Sequence, residues 1–259
     1  MKVHAKLCLI TKKEFNKITQ YGFVSTGNFH EGTAKVYGDH LLMTCKKEIL
    51  SDMKIIFDIL CSSTPDLTQL EHRNYLITSP NQQREFFVDK IQNQIQQPKD
   101  KQSIKIKLNS LVDPTLIKAL YNAAENGLNV ELIIRGICTA ITNQKQFKKQ
   151  IHAVSIIDQY LEHARVMIFG KGSNCEVFIS SADWMVRNLD HRVEVACKIE
   201  SKTFKEELLD IFKIQLKENI KARILDNKQS NRYVRQEKNE TPWRSQIETY
   251  KYLKSKRYN

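Results

Sequence analysis

The sequence predicts an α/β protein in two parts, on three observations. Short apolar runs of strand length alternate with longer stretches of helical period. One run, residues 130–134, is nearly continuous in apolar side chains, as in strands of a parallel sheet covered on both faces. A third pattern occurs twice: a histidine two positions before a cation, followed some twenty positions later by a small polar turn. The copies are His4-Ala5-Lys6 with Ser25-Thr26-Gly27-Asn28, and His163-Ala164-Arg165 with Ser180-Ser181-Ala182-Asp183-Trp184.

Taken in order, residues 1–10 alternate and then run apolar, which suits one buried strand. A basic turn follows (Lys12, Lys13, Lys17), then a strand over residues 20–25. Residues 46–61 put Ile49, Met53, Ile56, Phe57 and Leu60 on one helical face. The turn-rich residues 62–66 mark the expected boundary between a first part, residues 1–68, and a second, residues 69–259; the charged loop 98–102 is the alternative. A strand over 74–78 and a helix over 82–96 come next. After a strand at 104–108, Asp113-Pro114 supplies an N-cap and a first-turn proline for a helix that Gly127 ends. The strand at 130–134 delivers Arg135-Gly136 at its C-terminal end, where open α/β sheets bind ligands. Strands at 166–169, 177–180 and 192–199 follow, then a helix over 204–217. Residues 226–239 read as a loose polar stretch, and Thr241-Pro242 as the cap of a last helix carrying Ile247, Tyr250 and Leu253.

Composition narrows the partners. In 259 residues, 41 Lys and Arg face 29 Asp and Glu, giving a net charge of +12, so the chain should attract polyanions. Six scattered cysteines without metal-ligand spacing read as buried, reduced thiols of a cytoplasmic protein. No apolar run has membrane-spanning length, although the charge also allows peripheral association with an anionic membrane.

The chemistry resides in the duplicated pattern. A neutral imidazole is a competent nucleophile toward phosphorus, and phosphoryl transfer depends on positioning and on cations around the phosphate oxygens. On a strand, side chains at i and i+2 share a face, which would set Lys6 beside His4 and Arg165 beside His163 as phosphate-binding cations. The turns at Asn28 and Asp183 could orient a phosphate or the second ring nitrogen. Tyr37 and Asp39, and Arg187, Asn188, Asp190 and Arg192, form further polar clusters for which surface ion pairing is the plainer account. His30, His40, His72, His152 and His191 show no ligand spacing and read as structural.

Several segments together resemble the C-terminal portion of the long-chain bacterial polyphosphate kinases of the family 1 type. They are residues 2–6, residues 26–34 with Tyr37 and Asp39, residues 108–113, 134–138 and 160–163, Ser180-Ser181-Ala182-Asp183-Trp184-Met185, and Arg187-Asn188. The resemblance runs from the first residue to about residue 233. It implies two phospholipase D-like domains, the first incomplete at its N-terminus. It further implies reversible transfer of the terminal phosphate of ATP to polyphosphate through a phosphohistidine, with Mg2+. His4 resembles the phosphorylated histidine and His163 its acid–base and nucleotide-contacting partner. Tyr37 resembles a nucleotide-contacting tyrosine, and Arg135 an arginine that binds phosphate near the metal; the resemblance supplies no direct metal ligand. Expected partners are ATP or ADP, polyphosphate, and a complementing N-terminal fragment or a second copy, with no nucleic acid. A start inside a family domain further predicts a fragile first part and weak or no activity of the chain alone. Two other classes remain open, a phospholipase D-like phosphodiesterase and a non-catalytic polyanion-binding fragment. The former usually has an Asp five positions after the cation, where Thr11 and Gly170 stand here.

Overall fold

The structure, a computed structural model, describes residues 2–70, 75–80, 82–236 and 239–256. It opens with β1 (Lys2–Val3) and a long hairpin of β2 (Lys6–Glu14) and β3 (Lys17–Ser25). The single buried strand expected over residues 1–10 is thus two strands parted at His4-Ala5, and β2 grows more exposed from Lys6 onward. The lysines expected in a turn lie on strands. The turn is Phe15-Asn16, with φ of 43° and 65°, a backbone that follows strand twist without needing glycine. After the short helix α1 (Glu31–Ala34) come β4 (Tyr37–Gly38) and β5 (Leu41–Thr44). β5 completes a three-stranded sheet with β3 and β2, and α2 (Lys47–Leu60) buries Ile49, Leu50, Met53 and Ile56.

The larger part contains β6 (Leu76–Ser79), α3 (Gln83–Gln96), β7 (Ile104–Leu108), α4 (Pro114–Glu125), β8 (Val130–Ile134) and β9 (His152–Ile156). It continues through β10 (Leu161–Glu162), β11 (Arg165–Phe169), β12 (Glu176–Ser180), α5 (Val186–His191), β13 (Arg192–Ile199), α6 (Lys202–Leu216), β14 (Ala222–Ile224) and α7 (Ser245–Ser255). The strand expected from residue 74 begins at Leu76; Asn74 and His72 lie outside the described residues. Thr241-Pro242 does not cap α7, because Trp243 pairs with Asn219 and keeps that stretch extended beside the end of α6.

One sheet organises the fold, in the order β1-β13-β12-β11-β7-β8-β9-β14, with β6 also on β13. β7, β8 and β9 run parallel, whereas β11, β12 and β13 are antiparallel. Alternation along β11 sends Met167 and Phe169 to the core under α3 and α4, and Val166 and Ile168 to the core under α2 and α6. Helices on both faces explain the unbroken apolar strands. Trp184 is fully buried against Phe87. It anchors the turn bearing Asp183 from within the core, and an aromatic of that size lost to alanine costs about 3–5 kcal/mol.

The expected boundary after residue 68 falls within a 3-10 turn, Leu67–Leu70. Two pairings reach across it: β1 joins the large sheet in parallel with β13 (Lys2 with Arg192, Val3 with Val193), and β4 and β10 form a separate two-stranded parallel sheet. These two joints set the site. Of the six cysteines, Cys175 and Cys197 are buried, Cys8 and Cys138 half-buried, and Cys45 and Cys61 exposed, so the expectation of six buried thiols is corrected for the last two. Among the described residues no helix is long and apolar enough to cross a membrane.

Candidate active site

Each joint places a histidine at a bulge. The N–H groups of His4 and Ala5 both donate to the carbonyl of Val193, at 2.9 Å, and those of His163 and Ala164 both donate to the carbonyl of Gly38, at 3.1 and 3.0 Å. Two residues opposing one partner is the signature of a β-bulge, a device that re-aims a side chain. The regular strand geometry expected at both motifs is therefore replaced by a bulge. The duplication read in the sequence extends to the backbone.

The bulges point both imidazoles at carboxylates. His4 Nδ1 lies 2.8 and 2.9 Å from the two oxygens of Glu194, one residue beyond its strand partner Val193. His163 Nδ1 lies 2.9 and 3.0 Å from the oxygens of Asp39, one residue beyond Gly38. An Nδ1–H donating to a carboxylate leaves Nε2 with its lone pair. The expected cation stands against the ring, within reach of both nitrogens: Lys6 Nζ is 3.0 Å from His4 Nε2 and 3.1 Å from Nδ1, and Arg165 Nη1 is 3.0 Å from His163 Nε2 and 3.3 Å from Nδ1. Each histidine is completed by a carboxylate from the other part of the chain.

The polar turns hold these carboxylates. Glu194, fully buried, accepts from Ser181 Oγ and from Asn188 Nδ2. Asp39 accepts from Thr26 Oγ1 at 2.6 Å, and a Cβ at Gly27 would sit 2.0 Å from an Asp39 oxygen, so only glycine fits there. Asn28, named from the sequence as a phosphate contact, sits exposed at the end of the same turn. Asp183 takes the N–H groups of Asn109 and Ser110 and the guanidinium of Arg165 at 3.0 Å. Arg135 donates through Nε to Asn109, whose amide bonds the carbonyl of His163. The Tyr37 ring centroid is 5.0 Å from that of His163. Tyr37, Arg135, Lys6 and Arg165 thus gather around the two histidines.

Burial and charge tune the groups. Burial lowers the pKa of Lys6 to about 8, against the pull of Glu194 and with a push from Arg165. Burial, with Arg165 and Lys6 nearby, also lowers His163, although Asp39 opposes the shift. Burial alone would raise Asp39, but the bonds from His163 and Thr26 outweigh it and hold the carboxyl below its usual range. Lys6 feels Asp39, Asp183, Arg165 and Glu194 together, so both half-sites share one electrostatic field.

Sequence reasoning missed Glu194 and Asn109 as site residues. Glu194 had a usable signal, a charge inside the apolar run Val193-Glu194-Val195, which is costly unless paired. Asp190 forms a two-pronged ion pair with Arg84, and the backbone carbonyl of Arg192 accepts from Ser79. His30 caps α1, and burial drives the His40 pKa down to about 4. Among the described residues no three His, Cys, Asp or Glu side chains converge as a metal site.

Comparison with known proteins identifies the family. Residues 1–66 match the family model for polyphosphate kinase C-terminal domain 1, and residues 76–246 that for polyphosphate kinase C-terminal domain 2. Polyphosphate kinase of Vibrio cholerae is 40% identical over 98% of this chain and 36% of its own length; that of Escherichia coli K12 is 38% identical over 98% and 37%. The chain therefore spans little more than a third of the curated relatives it matches. The crystal structure of polyphosphate kinase from Porphyromonas gingivalis superposes with a TM-score of 0.87 at 37% identity, covering 97% of this chain and 39% of that one. Phosphatidylserine synthase of Haemophilus influenzae Rd KW20 shares the fold alone, with a TM-score of 0.55 at 13% identity over 90% of this chain and 66% of that one. The fold is of the mixed α/β class expected from the sequence, and the chain belongs to the polyphosphate kinase family.

Proposed function

We propose that this chain forms the C-terminal catalytic part of a polyphosphate kinase, moving the terminal phosphate of ATP reversibly onto polyphosphate through a phosphohistidine at His4. One observation carries the reading: both histidines have a carboxylate on Nδ1 and a cation against the ring within reach of Nε2, in one shared field. The Nε2 lone pair of His4 attacks the γ-phosphorus, the bond from phosphorus to the β,γ-bridging oxygen breaks, and ADP leaves with that oxygen. A terminal oxygen of polyphosphate then attacks the phosphorus, the P–N bond breaks, and His4 returns to its neutral form. Glu194 fixes the ring so that Nε2 faces the incoming phosphate. Lys6 and Arg165 exchange their ring contacts for phosphoryl oxygens as charge develops. His163, kept neutral by burial, takes or returns a proton at Nε2 while Asp39 holds Nδ1. Tyr37 and Arg135 contact the nucleotide and its phosphates.

Magnesium would neutralise phosphate charge. With no cluster of three candidate ligand side chains among the described residues, it would arrive bound to nucleotide oxygens, with Arg135 reaching it only through phosphate. The work is assigned to the cytoplasm, where the basic charge also favours contact with anionic membrane.

Incubation with γ-labelled ATP tests the reading, with the chain alone and with the N-terminal portion of a polyphosphate kinase added. The expected product is an acid-labile, base-stable label that is absent from His4→Ala. No label under either condition, or label surviving in His4→Ala, would overturn it.

A further inference from the structure

The motif Tyr160-Leu161-Glu162-His163 is gripped from both sides. On one side β10 pairs with β4, which aligns His163 with Asp39. On the other side no strand follows among the described residues; the side chain of Gln246, from the first turn of α7, takes a strand's place. The Tyr160 N–H donates to Gln246 Oε1 at 3.0 Å, and Gln246 Nε2 donates to the Tyr160 carbonyl at 2.7 Å. An amide side chain here forms the pair of bonds that a peptide unit would form in a ladder.

Gln246 also reaches the carboxylate next to the histidine. Its Nε2 donates to Glu162 Oε1 at 2.9 Å, while Lys107 Nζ, at 2.5 Å, and Gln215 Nε2, at 2.9 Å, donate to the other oxygen. Glu162 and Lys107 are almost wholly buried. Burial alone would raise the Glu162 pKa, but Lys107 and the Gln246 bond hold it below the usual range. The start of α7 is in turn fastened where Arg244 forks onto Asp158 at 2.7 and 2.8 Å and Trp243 pairs with Asn219. Gln246 therefore has a fixed base from which to act.

We propose that Gln246 is a positioning residue for His163, so that the C-terminal helix α7 straps the 160–164 segment in the register that keeps the imidazole on Asp39. This rests on the reading of His163 as acid–base partner only where turnover is measured; the strap itself is visible in exchange and spectra. Gln246→Met keeps the length of the side chain and removes every one of its hydrogen bonds. Gln246→Glu keeps an acceptor for Tyr160 but sets a second carboxylate against Glu162.

The test is amide hydrogen exchange on the full chain, read at Leu161, His163 and Ala164 against the adjacent strand β11. In Gln246→Met the first three amides should exchange about tenfold faster or more while Met167 and Ile168 stay unchanged, since local opening need not spread to a packed strand. The Nδ1 resonance of His163 should move toward that of the Asp39→Asn protein. Gln246→Glu should show the larger change, and the Lys251→Ala control, on an exposed ion pair of the same helix, none. If β11 loosens in step with residues 161–164, or if neither set changes, Gln246 is an ordinary stabilising contact and the proposal falls. Where labelling of His4 is measurable, Gln246→Met should lower its rate about tenfold with the KM for ATP changed by less than about twofold, the pattern of lost positioning rather than lost binding. Parent protein left unlabelled even with the N-terminal portion added, with the exchange result intact, would count against the proposed function and leave the strap standing.

Discussion

Around His4 the orienting carboxylate is Glu194, wholly buried and held also by Ser181 and Asn188, while the imidazole is 23% exposed. Around His163 the balance is reversed: Asp39 is 20% exposed and held by a single hydroxyl, Thr26, while the ring is 14% exposed. On the proposed function the same parts serve two tasks. A ring that takes a phosphoryl group needs an open face and an orienter that does not move. A ring that trades protons gains more from a desolvated setting that keeps it neutral. The cations differ as well, for Lys6 can lose its proton near neutrality and Arg165 cannot.

The sharpest way to break this comparison is to neutralise each carboxylate. Glu194→Gln should lower the rate of His4 labelling by about ten-thousandfold, the scale seen when a histidine loses its orienting carboxylate, and Asp39→Asn by about a hundredfold. Equal losses would show the two sites to be interchangeable. Urea titration should find Glu194→Ala the more destabilising by about 2 kcal/mol, since it strands two buried donors.

The next effect separates the cations. Between pH 8 and 10.5 the folded chain binds fewer protons at Lys6 than the unfolded chain does, so stability rises with pH across that window. Below it, burial of the charged amine costs stability, and Lys6→Met should gain about 1–2 kcal/mol at pH 7 while abolishing labelling. Labelling by the parent should fall above about pH 8 as Lys6 loses its charge, and Lys6→Arg should remove that limb.

The smallest effects concern the His163 side. With its pKa below the ordinary 6.5, the unfolded chain takes up this proton first as pH falls, so stability declines below that value. His163→Gln should flatten the slope by less than one proton. Thr26→Val should cost about 1–2 kcal/mol, because it removes the bond to Asp39 and the acceptor of the His40 N–H, and leave His4 labelling nearly unchanged.

Much of this was legible beforehand where short-range rules apply. The helix behind Asp113-Pro114, the strands at 104–108 and 130–134, and the cation two positions after each histidine depend on neighbours within a few residues. Two local signals still misled. Phe15-Asn16 makes a tight turn without glycine, and Thr241 bonds Asn219 through its carbonyl instead of capping a helix. The bulges at His4 and His163 were not legible, because each is created by a strand far away in the chain, β13 or β4. For the same reason Asp39 read as a residue of a surface ion pair and Glu194 went unnoticed. The sequence period shows which side of an element is buried but not which distant carboxylate lies opposite.

The crossed wiring also bears on when the chain becomes chemically competent. His4 is separated from Glu194 by 190 positions and His163 from Asp39 by 124, so both orienting bonds close among the longest loops available to a chain of 259 residues. Contacts of such separation form late, after local helices and hairpins. A nascent or partly opened chain would present an ordinary, freely rotating histidine at position 4, with no fixed carboxylate behind it. Reactivity toward phosphate would then report on the finished fold, with maturation and activation as one event.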